Sequence, residues 1–362
     1  MSLLGMSRYV RIHLPVEVLL GAGALSLIGP ELSSLEVGRV LLVYGEGLGY
    51  VAERVVESLG GMCVRRVEVE DLCLPPRAGD VEEVARLLRG CDFVVAVGSG
   101  EVMDLARAVA ARAEPREGVA GGPAALIPIA PGIDRAVSRR VALRGGDRGA
   151  VVRMSSPRLY PRLAILDPAL VDDSGGSRLA MLCAEILVNS LEVLASSAAD
   201  NFSLLLAGEA LRAALRAPRL SIAEAYWAAL CAALACTRCG GGACSALARS
   251  LSALYELNYY LAAAALLVPW LEHVIEAARD RLGRALARAG LGSCEEVLGR
   301  VREILERAGL LGSLTALGVR SGEVDVVVEH AWTYERSSIE ADLGVSDKYS
   351  LREILLAAAG RV

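Results

Sequence analysis

Basic residues never gather in this chain. Its 38 Lys and Arg are outnumbered by 43 Asp and Glu, giving a net charge of -5, and Lys348 is the only lysine. Nucleic-acid phosphates are bound by a concentrated basic face, so the composition argues against a nucleic-acid partner. The chain also lacks an apolar stretch of membrane-spanning length. Its longest, YYLAAAALLVPWL at 259–271, falls short of the roughly 20 residues a span needs and contains Pro269. The opening MSLLGMSRYVRIHLPVEV has charges and a proline where a signal sequence keeps an apolar core. The expectation is a cytoplasmic protein with no membrane span. Aromatic residues are sparse, and alanine and leucine fill the second half in their place.

Nine cysteines in 362 residues do not make a secreted disulfide scaffold. Four of them cluster in CAALACTRCGGGAC: Cys231, Cys236, Cys239 and Cys244. Only the inner Cys236-x-x-Cys239 pair has zinc-site spacing, and no second such pair follows it. Small buried residues in helical packing, with at most one disulfide, is the preferred reading. A metal or cluster site is the alternative.

A chain of 362 residues suits two domains, each able to bury its own core. Up to about residue 170, strand and helix patterns alternate. After a short extended start at 9–20, GRVLLVYGEG at 38–47 is an apolar, β-branched run ending in glycines, the pattern of a buried parallel strand. YVAERVVESLGG has apolar residues three and four apart and a glycine stop, which predicts an amphipathic helix. VEEVARLLRG, DFVVAVGSG and EVMDLARAVAARA repeat helix, strand and helix, and AALIPIA and RLAILDP add two strands. This predicts a doubly wound, Rossmann-like α/β domain over 1–172. Beyond it the strand signals nearly vanish, and successive helix-length segments predict an all-α domain over 173–362. DDSGGS at 172–177 is the expected hinge, with Ser177 as the cap of the next helix.

In an open parallel sheet, ligands bind beyond the carboxyl ends of the strands. Gly98, Ser99 and Gly100 stand at such an end, with Glu101 and Val102 opening the helix that follows. Glycines there let a phosphate approach the backbone, and the first N–H groups of the helix stabilise its charge. A pyrophosphate fits this turn. A purely steric glycine turn fits it as well, since the pattern is not G-x-G-x-x-G.

Three stretches, LPVEVLLGAGALSLIG, GSGEVMDLAR and LAILDPAL, resemble the superfamily of iron-containing alcohol dehydrogenases, glycerol dehydrogenases and dehydroquinate synthases. Within it the sn-glycerol-1-phosphate dehydrogenases are the most similar. Their G-G-G-[KR]-x-x-D-x-[AT]-K turn is matched by GSGEVMDLAR, with Ser99 for a glycine, Glu101 for the basic residue and Arg107 for the lysine. Their P-T-A-A-S-H-D-G-x-x-S-P-R is matched from Pro128 by PIAPGIDRAVSRR, which keeps Asp134, Ser138 and Arg140. RSSIEADL from Arg336 resembles their later R-Y-T-I-L-E-x-L.

The resemblance implies a dehydroquinate synthase-like fold of two domains with NAD or NADP in the cleft. Its pyrophosphate would lie on Gly98 to Val102, Ile129 to Gly132 would run along the nicotinamide side, and Ser138 would touch the cofactor. Asp134 would meet the hydroxyls of a small polyol phosphate. Glu46, just past the first strand, is placed to accept from the adenosine ribose hydroxyls or, equally, to sit as a solvated turn carboxylate. Asp104 reads as a first-turn residue favoured by the helix dipole.

In this family an Asp and two His of the helical domain hold a divalent metal that polarises the substrate oxygen. Here Glu185 stands where the Asp belongs, and the two His positions fall at about Ser245 and at Tyr260 or Leu261. Asn189 stands in place of a further His ligand of the iron alcohol dehydrogenases. His13, His273 and His330, the only histidines, lie elsewhere and read as surface or packing residues. No metal is therefore expected at the family's site. Arg249 stands near the position of another substrate-contacting His, and reads either as a phosphate-binding guanidinium or as an exposed helix residue.

Three functions follow. The first is an NAD(P)-dependent oxidoreductase acting on a small polyol or polyol phosphate, with Asp134, Glu185 and Arg249 in catalytic roles. The second is a metal-free, catalytically impaired nucleotide-binding homologue with a regulatory or partner role. The third is a lyase of dehydroquinate synthase type. A shared fold does not choose among them. The expected partner is a small-molecule substrate, with a homo-oligomer left open.

Overall fold

The computed structural model describes residues 12–70, 75–113, 122–145, 151–172 and 176–360. Eight strands are present among them: β1 (Glu17–Leu20), β2 (Arg39–Gly45), β3 (Cys63–Val69), β4 (Phe93–Gly98), β5 (Gly122–Pro128), β6 (Arg140–Arg144), β7 (Val151–Ser155) and β8 (Pro161–Leu166). Six of them make one parallel sheet in the order β1-β8-β5-β4-β2-β3. β6 and β7 pair separately as an antiparallel hairpin.

The central strands β2, β4, β5 and β8 are nearly continuous runs of Val, Leu, Ile and Ala, covered on both faces, as a parallel sheet flanked by helices requires. β3 and the hairpin are absent from the sequence expectation. CVRRVEV carries three charges and takes the sheet edge, where one side stays wet, and VVRMS in β7 is mostly exposed. Neither has the apolar continuity by which the other strands were recognised.

From Ser177 onward the described residues form helices and no sheet: Ser177–Leu194, Asn201–Ala214, Ile222–Cys239, Ala243–Tyr255, Tyr259–Arg288, Cys294–Arg307, Val324–Tyr334 and Lys348–Ala359 are the long ones. Residues 173–175, half of the expected hinge, lie outside the described residues. The cap of the first helix is Gly176 in the left-handed conformation, φ 68°, and Ser177 is the first helical residue rather than the cap.

The apolar run at 259–271 turns out to be only the first part of a helical stretch of 30 residues that is kinked at Ala278. Asn258 caps it, accepting from the N–H groups of Tyr260 and Leu261, and it continues past Pro269. By length and composition this helix could cross a membrane; here it is packed among the other helices, with Tyr260, Leu267, Trp270 and Val274 buried.

The two halves do not keep separate cores, as the sequence led us to expect. Leu41, Val43, Val94, Ala96 and Leu126 on one face of the sheet join the helical half in one contiguous apolar cluster. The opposite face, with Val40, Leu42, Val95 and Val97, packs beneath the helices Ile28–Ser34 and Gly49–Ser58. The helix Gly100–Ala110 is buried along its whole length between the sheet and the hairpin. Its amino end therefore opens inside the molecule.

Candidate functional site

At the end of β4 the chain turns sharply through Gly98, whose φ of +154° suits glycine. A Cβ there would meet Val102 at 2.9 Å, so Val102 packs under the turn. Ser99 caps the following helix: its hydroxyl accepts from the Glu101 N–H at 3.3 Å and donates to the Glu101 carboxylate at 3.1 Å. The space above Gly100 is held by two side chains, since a Cβ on Gly100 would stand 2.9 Å from the Tyr260 hydroxyl and 3.0 Å from Cγ of Arg135. Both bring a buried polar atom without a hydrogen-bond partner, Nε of Arg135 and the hydroxyl of Tyr260. Burial alone would push Arg135 down; Asp134, Asp104 and Glu101 around it hold it well above the ordinary arginine value. A negative group at this turn would meet a helix amino end and two donors without a hydrogen-bond partner, one of them on Arg135, with the Glu101 carboxylate close by.

The segment leaving β5 is pinned from both sides. Ile129 is buried and donates its N–H to the Gly98 carbonyl at 2.9 Å. The Tyr226 hydroxyl donates to the Pro128 carbonyl at 3.0 Å and accepts from the Ala130 N–H at 3.3 Å. The Glu185 carboxylate accepts from the N–H of Gly132 at 2.7 Å and of Asp134 at 3.1 Å. Burial, then the neighbouring Asp134, push Glu185 up to about 8.

Glu185 lines a cavity of about 10 Å³ together with Asp134, Asn189, Tyr259 and Tyr260. Ser245 stands next to it. Its N–H and hydroxyl both donate to Glu192 at 2.6 Å, and its oxygen accepts from the Tyr259 hydroxyl at 3.2 Å. Leu261 faces outward at 36% exposure, so tyrosines occupy this wall. Structural and catalytic divalent metals are held by imidazole, thiolate or free carboxylate oxygens. Two carboxylates, Asp134 and a Glu185 already engaged by two backbone N–H groups, with an amide, a hydroxyl and two phenols, fall short of the three or more such ligands that hold an ion. Among the described residues no three His, Cys, Asp or Glu side chains gather into a metal-binding group.

On the far side of Asp134, Arg249 is 8% exposed rather than a surface residue. It donates to Glu335 at 2.8 Å, and Arg153 from the hairpin donates to the same oxygen at 2.7 Å. Ser138 accepts from the Arg140 N–H at 3.1 Å and lines the cavity these arginines share. Asp104 is likewise more than a first-turn residue. It is buried, ion-paired with Arg107, and accepts from the Ala142 N–H at 3.0 Å. Arg107 donates onward to the carbonyls of Ser138 and Arg140. The pair thus ties the hairpin to the helix that starts at the glycine turn.

Glu46 is exposed beyond the end of β2. A cavity of about 430 Å³ lies nearby, beside Glu101 and Val102, and Glu68 of β3 lines it where Glu46 does not. Sequence reasoning missed Glu68, Arg135, Arg153, Glu192, Tyr226 and Glu335. Only Arg135, directly after Asp134 where the family pattern has glycine, carried a signal. His13 is exposed, and His330 is half-buried with Nδ1 at 3.1 Å from the Ser250 hydroxyl. Cys231, Cys236, Cys239 and Cys244 are free thiols, and burial pushes Cys231 up to about 11 and Cys236 up to about 12.

Residues 15–168 match the family described as iron-containing alcohol dehydrogenase. Maleylacetate reductase 1 of Rhodococcus opacus is 34% identical over 106 residues, 29% of this chain and 30% of that protein. Glycerol-1-phosphate dehydrogenase [NAD(P)+] of Methanoregula boonei is 28% identical over 185 residues, 50% of this chain and 47% of that protein. The chain thus spans about a third to a half of the length of these curated relatives. The solved iron-containing alcohol dehydrogenase of Thermococcus thioreducens superposes over 97% of this chain and 100% of its own, with a TM-score of 0.82 at 21% identity. Residues 15–168 are thus similar to the iron-containing alcohol dehydrogenases, and the described residues as a whole share the fold of the Thermococcus enzyme.

Proposed function

We propose that this protein binds NAD(P) at the glycine turn but does not carry out a metal-assisted alcohol oxidation of the kind the iron-containing alcohol dehydrogenases are named for. The observation that carries the second part is Glu185. Its two oxygens are taken by the N–H groups of Gly132 and Asp134, and the neighbouring positions hold Asn189, Tyr259 and Tyr260. The first part is supported by the unpaired donors of Arg135 and Tyr260 over Gly100 and by the name of the Methanoregula relative. Ser99 and the Gly132 segment would border the dinucleotide. Glu68, in the larger cavity, would accept from ribose hydroxyls in the role first given to Glu46.

The test is titration of the purified chain with NAD+ and NADP+ by calorimetry, together with elemental analysis and a panel of alcohols and polyol phosphates with added iron or zinc. Dinucleotide binding without stoichiometric metal or metal-dependent turnover is the expected result. One equivalent of iron or zinc that is lost in Glu185→Ala, along with alcohol oxidation, would refute it.

A second reading, a working dehydrogenase on a small polyol phosphate, is favoured by one observation. Asp134 lines both the cavity beside Glu185 and the arginine-lined cavity, where a hydroxyl-bearing anion would be held. Turnover of such a substrate without any added metal would select it.

A further inference from the structure

Beyond Asp134, between the β6–β7 hairpin and the helical half, lies a cavity of about 40 Å³ whose lining includes Arg135, Arg140, Arg153 and Arg249 and only one carboxylate, Asp134. A single water needs about 10–15 Å³, so there is room for a phosphate or carboxylate group and not for a nucleotide.

The charges are unevenly matched. Glu335 lies against Arg153 and Arg249 and serves both with one oxygen. Asp134 pairs with Arg135 at 3.6 Å, and Glu192 sits behind Ser245. Arg140 has no ion pair among the described residues, and its guanidinium lies against Gly240, whose φ of +93° and missing side chain keep the wall open. Nε of Arg249 is buried without a partner. Burial and the nearby Arg249 push Arg153 down to about 10, while Glu335 above all holds Arg249 above the ordinary arginine value against its burial, so the crowding of like charge falls on Arg153.

We propose that this cavity is a binding site for one small oxyanion group, clamped by Arg140, Arg153 and Arg249. The fork geometry of guanidinium suits the planar or tetrahedral oxygens of such a group. Ser138 and Thr237 in the same wall add hydroxyl donors. The site does not depend on a dinucleotide.

The experiment is calorimetric titration of the full chain with inorganic phosphate and, separately, with acetate, in the absence of any dinucleotide. One saturable site is expected for at least one of the two anions. Tighter phosphate binding assigns a phosphate ester, and tighter acetate binding assigns a carboxylate. Arg140→Gln should weaken that binding by roughly 10- to 100-fold, since it removes a charged hydrogen-bonding partner. The thermal midpoint should stay in place, because Arg140 leaves no carboxylate behind. Arg140→Lys should recover part of the affinity. No saturable binding of either anion, or equal affinity in Arg140→Gln, would overturn the proposal; neither result would bear on dinucleotide binding.

Discussion

Gly132 rests on Gly100 so closely that a Cβ at Gly132 would lie 2.7 Å from the Gly100 Cα and nearer still to its nitrogen. Gly132 also has a φ of +118°, which a side chain strains. The contact seats the segment leaving β5 on the strand-to-helix turn. Gly132→Ala should therefore cost roughly 3 kcal/mol or more, combining backbone strain with overpacking. Urea unfolding would measure it. An unchanged midpoint would mean that the segment lifts off the turn freely.

Glu185→Ala would strip the N–H groups of Gly132 and Asp134 of their acceptor inside the protein. Buried donors left unpaired cost roughly 1–3 kcal/mol each, so a loss of about 2–6 kcal/mol is expected for the two. Glu185→Gln keeps one acceptor oxygen and should cost less. If the alanine variant proved the more stable of the two in chemical denaturation, the carboxylate would not be serving as the acceptor described here.

Glu185 also sets a pH dependence. Its ordinary value of 4.5 rises to about 8 in the fold, through burial first and Asp134 second. Between those values the folded chain holds a proton that the unfolded chain has released. The stability from this group is present in full below about 4.5 and is lost as pH climbs through 8. Glu192 and Asp342 are also raised by burial and act in the same sense. The wild type should weaken between pH 5 and 8, and Glu185→Gln should weaken less steeply. Parallel stability curves would show that Glu185 does not titrate in that window.

Glu335 holds Arg153 and Arg249 together. Burial pushes its carboxyl up, but Arg249 and Arg153 bring it below the ordinary value. Its contribution is thus present above about 4.5 and is lost on acidification. Breaking a buried ion pair from one side costs roughly 3–5 kcal/mol, and Glu335→Ala should fall in that range. Phosphate added to the variant should restore part of the melting temperature by supplying the missing negative charge. A variant as stable as the wild type would place the Arg153 and Arg249 charges in contact with solvent.

What the sequence alone determined is local. Val- and Ile-rich runs could only become covered parallel strands, and apolar residues at helical spacing could only become packed helices. The order α/β then α was therefore legible, as were the glycine turn after β4, the glutamate in place of an aspartate at 185 and the lack of histidines at 189, 245 and 260. The edge strand β3 was not, because its charges break the apolar pattern that a covered strand shows. Tertiary structure decided the rest. Whether Glu185 faces a metal or two backbone N–H groups depends on how a helix of one half meets a turn of the other. Arg135 and Tyr260 come to stand over Gly100, and Arg140, Arg153 and Arg249 around one cavity, from elements far apart in the chain. Periodicity reports which face of an element is buried, but the burial of a charge is settled only by the partners that packing brings to it.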